Sequence, residues 1–257
     1  MSTTMTPPFL PKAIVFDLLT ALLDSWTLWD ASVPPGSPTT GLTWRKHYLA
    51  LTFGSTVYGP GSTYEELVAR AASESGAPSS APAFLLRHWA SLQPWSEAGR
   101  VLRGLRAKGY LVGVVTNCSA EKGRVAVECV ERAVSLASLP PRSSTPSSRT
   151  CLPASGLAAA AAAAEASWAF DAVVTAEEAG FYKPAREAYH ALLPLLGDGG
   201  VKPEEVLFVA GSAGDVEGAT AAGFKVVWHN RAGLERKGDA VPLREGRSLE
   251  EVLGDYL

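Results

Sequence analysis

Four stretches of this chain each put a side chain able to do chemistry at or near the end of an apolar run. Asp17 closes Ala13-Ile14-Val15-Phe16, and Thr116-Asn117 closes Tyr110-Leu111-Val112-Gly113-Val114-Val115. Lys183 stands just before Pro184, and Asp215 ends Gly211-Ser212-Ala213-Gly214-Asp215 behind Val206-Leu207-Phe208-Val209-Ala210. A carboxylate can serve as nucleophile or base, and an ammonium beside it keeps it ionised. A hydroxyl and an amide can hold an anion by hydrogen bonds. Taken singly, each has a plainer reading: Asp17 as a turn cap, Thr116 and Asn117 as turn residues, Lys183 as solvated surface.

The elements that would have to position these groups can be read from the pattern. A continuous apolar run such as 13–16 fits a strand of a parallel sheet covered on both faces, its last residue at the carboxyl edge where open α/β sheets keep their sites. Similar runs at 110–115, 170–175, 206–210 and 225–228 alternate with helical patterns, which predicts a doubly wound parallel sheet with right-handed crossovers. Ser96 to Lys108 reads as a helix closed by Gly109, and Ser119 opens another. Pro184 at a helix start, with Tyr189, Leu192, Leu193 and Leu196 behind it, puts Lys183 just outside that helix. Phe181 and Tyr182 beside Lys183 predict that it is partly enclosed. One carboxyl edge then collects Asp17, Thr116, Asn117, Lys183 and Asp215, a convergence that five unrelated turns do not explain.

Between the first strand and the rest of the sheet the tone is helical. Gly41 to Phe53 has bulky residues at helical spacing, Thr63 caps a second helix with Glu66 at the third following position, and a third piece surrounds Phe84 to Leu92. The expected organisation is a catalytic core of residues 1–24 and 94–257, with a helical cap domain at 25–93 lying over the strand ends and excluding water. Arg45 lies inside that cap. Either it snorkels over Trp44 and Tyr48, or it turns a guanidinium fork toward an anion in the cleft. A low-complexity insertion at 135–168, Pro/Ser-biased and then alanine-rich, carries no chemistry; its first part reads as a disordered surface loop and Ala158 to Ala164 as a short helix.

Composition narrows the class. With 257 residues, 47% of them apolar, the chain can fill a sizeable core, and a net charge of -3 gives no basic surplus for nucleic acid. Cys118, Cys129 and Cys151 have no CxxC spacing and are too few for a disulfide scaffold, so a reducing compartment is the simpler inference and no zinc site is indicated. The stretch from Met1 to Lys12 lacks the basic and apolar regions of a secretory signal, and no run is long enough to span a membrane. The expectation is a cytoplasmic protein with a small-molecule substrate and neither nucleic acid nor membrane as partner.

The order Phe16-Asp17, Thr116-Asn117, Lys183-Pro184 and Gly211-Ser212-Ala213-Gly214-Asp215 resembles the four motifs of the haloacid dehalogenase superfamily, from about residue 13 to 245 apart from the insertion. Within it the chain is most similar to the 2-haloacid dehalogenases, through Trp44-Arg45, Tyr189 six positions after Lys183, and Trp228-His229-Asn230-Arg231. The resemblance implies a hydrolase acting on carbon–halide bonds on a Rossmann-like core, without a cofactor, and is compatible with a homodimer. It further implies Asp17 as nucleophile displacing halide through an ester, with Lys183 and Asp215 catalytic beside it. Arg45, Thr116, Asn117, Tyr189 and Ser212 would bind substrate.

The residue two after the nucleophile is Leu19, where the phosphatase branch has an Asp that protonates a departing alkoxide. Halide needs no proton, so Leu19 steers the reading away from phosphate esters. Other positions depart from the dehalogenase pattern: Leu19, Thr20 and Ala21 replace an aromatic, Gly and Thr, Ser212 replaces Asn, and Thr116 replaces Ser. A hydroxyl expected at Ala21 is thus lost or supplied one residue early by Thr20. Two alternatives stand: a magnesium-dependent phosphatase with a substitute acid, and a non-catalytic binding protein that keeps the fold.

Overall fold

The computed structural model describes residues 9–54, 56–136 and 167–257. Six parallel strands form one sheet: β1 (Ala13–Phe16), β2 (Leu111–Thr116), β3 (Ala172–Thr175), β4 (Val206–Ala210), β5 (Lys225–His229) and β6 (Arg244–Gly246), in the order β3-β2-β1-β4-β5-β6. The doubly wound α/β expectation therefore holds. β1 sits inside the sheet, with Phe16 in register with Val114 on one side and Val209 on the other. All four of its residues are fully buried, because side chains alternate between two covered faces. Ile14 and Phe16 enter a core that reaches into the helical stretch 25–93, and Ala13 and Val15 enter one built with Tyr189, Leu192, Phe208 and Phe224.

Strand order reverses at β1, so the neighbouring ends of β1 and β4 open into one crevice, the place where such sheets bind ligands. β6 is an addition to the sequence reading. Its Arg-Glu-Gly sequence has no apolar pattern, since it is a partly exposed edge strand held through β5 alone.

The stretch after β1 contains α1 (Ser25–Ala31), α2 (Gly41–Gly54), α3 (Tyr64–Ser75) and α4 (Ala81–Arg87). Thr63 caps α3 with Glu66 in the reciprocal arrangement expected from sequence. This stretch joins the sheet unit at paired segments. Leu23 bridges Pro94 antiparallel, Asp24 N donates to Gln93 O at 2.8 Å, and Trp95 N donates to Leu22 O at 3.0 Å. Val57 also bridges Phe181, with Tyr58 N on Gly180 O and Tyr182 N on Thr56 O, each at 3.0 Å.

α5 (Ala98–Ala107) and α6 (Ala120–Leu136) flank β2 in sequence. The segment after Lys183 differs from expectation: the helix covers Arg186–His190, so Pro184 precedes it rather than opening it. Residues 137–166 of the expected 135–168 insertion, including its alanine run and Cys151, lie outside the described residues, as does Met1 to Pro8. Cys118 and Cys129 are free and buried, and among the described residues no helix is long and apolar enough to cross a membrane.

Candidate active site

Asp17 leaves the end of β1 and caps the tight π-helical turn Leu18–Leu22. Its Oδ2 accepts from Thr20 N at 2.8 Å, Ala21 N at 3.2 Å and the Thr20 hydroxyl. The turn-cap reading and the site reading of Asp17 thus describe one arrangement, in which capping fixes one oxygen and leaves Oδ1 to Lys183 Nζ at 2.8 Å. Gly211, at the end of β4, lets the turn lie this close, since a Cβ there would collide with the Thr20 hydroxyl and Ala21 N.

Lys183 is more enclosed than expected, at 2% exposure, and its Nζ also donates to Asp215 Oδ2 at 3.1 Å. Asp215 lies in the first turn of the helix Ala213–Ala221, which Ser212 caps through its Oγ. The Ser212 hydroxyl lies 3.4 Å from Asp215 Oδ2, and the Tyr189 hydroxyl donates to Oδ1 at 2.9 Å.

The charges follow from this packing. Burial alone would raise the Asp17 carboxyl, but the Lys183 ammonium and the Thr20 donors outweigh it and hold Asp17 below its ordinary range. Burial raises Asp215, and the Asp17 charge adds to that against the pull of Lys183. Burial would lower Lys183, yet two carboxylates keep it raised and charged. The net arrangement is one strongly ionised carboxylate with an ammonium at its shoulder.

Arg45 of α2 lines the same pocket, and the aromatic surface it packs on is not the expected Trp44 and Tyr48. Its guanidinium stacks 3.9 Å above the Trp26 ring and 5.7 Å from that of Trp29. It is 3% exposed, and its Nε and Nη1 find no protein acceptor. Burial lowers it to about 10, so it stays charged at neutral pH.

The pocket is also lined by Leu19, Thr20, Tyr48, Leu49, Phe53, Asn117 and Ser212. Asn117 lines the pocket and also braces the lysine. Its Nδ2 donates to Lys183 O at 2.9 Å and its Oδ1 accepts from Lys183 N at 2.7 Å, so the amide clasps the lysine's backbone. The Tyr48 hydroxyl donates to Asn117 O at 2.8 Å.

Two of the expected binders do not line the pocket. Thr116 is buried beside Cys118, its hydroxyl 3.7 Å from the Sγ, and Tyr189 stands behind Asp215. The hydroxyl that reaches Asp17 comes from Thr20. Sequence reasoning passed over Trp26, Leu49 and Phe53 as site residues. Leu49 and Phe53 follow Arg45 by four and eight positions on α2, so helical periodicity could have found them.

The donor set does not fit a divalent cation. Both oxygens of Asp17 and both of Asp215 already accept from protein donors, with the Lys183 ammonium between the two groups. The Leu19 side chain supplies no further oxygen and its backbone carbonyl accepts from the Ser25 hydroxyl, and among the described residues no cluster of three or more His, Cys, Asp or Glu is gathered.

No family model matches the chain. It is 27% identical over 163 residues to an (S)-2-haloacid dehalogenase of Pseudomonas fluorescens, spanning 63% of this chain and 55% of that protein. It is 25% identical over 257 residues to (S)-2-haloacid dehalogenase H-109 of Pseudomonas putida, spanning 96% and 97%. A solved L-2-haloacid dehalogenase superposes with a TM-score of 0.69 at 25% identity, over 96% of this chain and 99% of that one. The likeness to 2-haloacid dehalogenases of the haloacid dehalogenase superfamily thus stands in both sequence and fold.

Proposed function

We propose that the protein is a cofactor-independent hydrolase that displaces halide from a small 2-halo acid, with Asp17 as nucleophile and residues 25–93 as a cap domain over it. The observation that carries this reading is the pairing, in one small pocket, of an ionised Asp17 with a buried Arg45 that has two unpartnered N–H groups. A buried cation with free donors is a receptor for an anion, either the substrate carboxylate or the departing halide.

Asp17 Oδ1 attacks C2 in line, the carbon–halogen bond breaks with its electron pair going to the halide, and an ester forms. Oδ2 then becomes the ester carbonyl oxygen. The donors that hold it, Thr20 N, Ala21 N and the Thr20 hydroxyl, meet the negative charge that develops when water adds to Cγ. Cleavage returns Asp17 and the 2-hydroxy acid, with one halide and one proton released per turnover. Lys183 and Asp215 keep Asp17 charged between cycles. Leu19 in the pocket wall fits a leaving group that needs no proton.

The test is halide release from 2-chloropropionate in EDTA, run beside p-nitrophenyl phosphate hydrolysis with magnesium, for the wild type and Asp17→Asn. Halide release that Asp17→Asn abolishes is the expected result. Activity on the phosphate ester alone would overturn the reading, and no Asp17-dependent activity across a substrate panel would favour a binding protein.

A further inference from the structure

The pocket around Asp17 is small, about 30 Å³, room for only a few water-sized centres. Against it lies an outer chamber of about 580 Å³, and Leu49, Phe53 and Ser212 line both spaces. Phe53 is the largest of these shared walls. Its ring lies across Gly214, where any Cβ would collide with it. The chain therefore has a glycine where the aromatic partition needs a seat.

The outer chamber is basic. Lys46 and Lys237 are exposed in its wall and form no ion pair among the described residues, and Lys237 Nζ stands 5.8 Å from the Phe53 ring. Arg236 is tied to Glu245 at 2.8 Å, and Glu235 is the one acid among the lining residues. We propose that Phe53, seated on Gly214, sets the length of the acid that Asp17 can reach, and that the outer chamber takes the far end of a longer acid, best an anionic one, when Phe53 is out of the way. This rests on the 2-halo acid reading above.

Phe53→Ala joins the two spaces. The ratio of kcat/KM for 2-bromohexanoate to that for 2-bromopropionate then rises by about 10-fold or more, since each methylene gaining room contributes about 10-fold upward. The same ratio for 2-bromoadipate rises further, and adding Lys237→Gln removes only that extra gain. Phe53→Leu, which keeps an apolar side chain on α2, shifts the ratios the same way by less. Unchanged ratios in both Phe53 variants would overturn the proposal. Calorimetric binding of hexanoate and adipate, which cannot react, reads the partition separately from catalysis. Tighter binding of both to Phe53→Ala without halide release in any variant would sink the dehalogenase reading and keep the partition; halide release with unchanged binding and ratios would do the reverse.

Discussion

The Tyr189 hydroxyl donates to Asp215 Oδ1 at 2.9 Å, on the side of that carboxylate away from Lys183. Tyr189 is fully buried, and burial together with the Asp215 charge raises its pKa well above the ordinary value, so it remains a donor throughout the working range. Tyr189→Phe leaves a buried carboxylate oxygen unpaired, which costs about 1–3 kcal/mol of stability, read by urea denaturation. Because Tyr189 acts through Asp215 and Lys183, kcat falls while KM for the halo acid stays close to wild type; a KM effect alone would mean that Tyr189 touches substrate.

Removing the central cation is more severe. Lys183→Gln leaves Asp17 and Asp215 buried without a counter-charge, and loss of one partner of a buried pair costs about 3–5 kcal/mol. Activity should drop by several orders of magnitude, and where protein remains folded the acid limb of its pH profile should move upward. An unmoved acid limb would show that Lys183 does not set the charge of Asp17.

The wild-type pH profile follows from the two ends of the pocket. Asp17 lies below its ordinary 3.8, so it stays ionised through the neutral range; its contribution to stability is present above 3.8 and is lost as pH falls through the lower native value. Arg45 loses its proton near pH 10, so kcat/KM should fall on the alkaline side as pH rises through about 10. Arg45→Lys, which lacks the fork and the stacking on Trp26, should lose about 10- to 100-fold in kcat/KM and shift that limb.

A paired comparison separates the two threonines. Thr20→Val removes a donor to Asp17 Oδ2 while keeping the backbone N–H, and should lower kcat by about 10- to 100-fold, less than the loss of a full oxyanion donor. Thr116→Val, beside Cys118 and away from the pocket, should leave kcat within about 3-fold, a change worth less than 1 kcal/mol. Equal losses would contradict the geometry.

Strand ends and the residues they deliver were legible because a buried parallel strand is an uninterrupted apolar run whose stop is visible. Asp17 and Asp215 could be placed together on that ground, and Lys183 through Pro184 and the aromatic residues beside it. What each partner does was less legible. A threonine at a strand end reads alike whether its hydroxyl faces the cleft or a neighbouring thiol, and only the packing of Thr116 on Cys118 decides it. Asn117 reads as an anion donor until both of its amide atoms are found on the Lys183 backbone. Strand β6 escaped because an edge strand needs no apolar alternation. Trp26 lies too far from Arg45 in sequence for spacing to link them, since their contact is made between two helices.

The Val57–Phe181 bridge has a kinetic consequence. It fastens the helical stretch to the segment that ends in Lys183, and the Leu23–Pro94 pairing fastens it again at its root. Rotation of the whole stretch away from the sheet would have to part both pairings, a hinge movement of the microsecond-to-millisecond kind. Any step that needs that rotation is therefore slow compared with the motion of an exposed side chain.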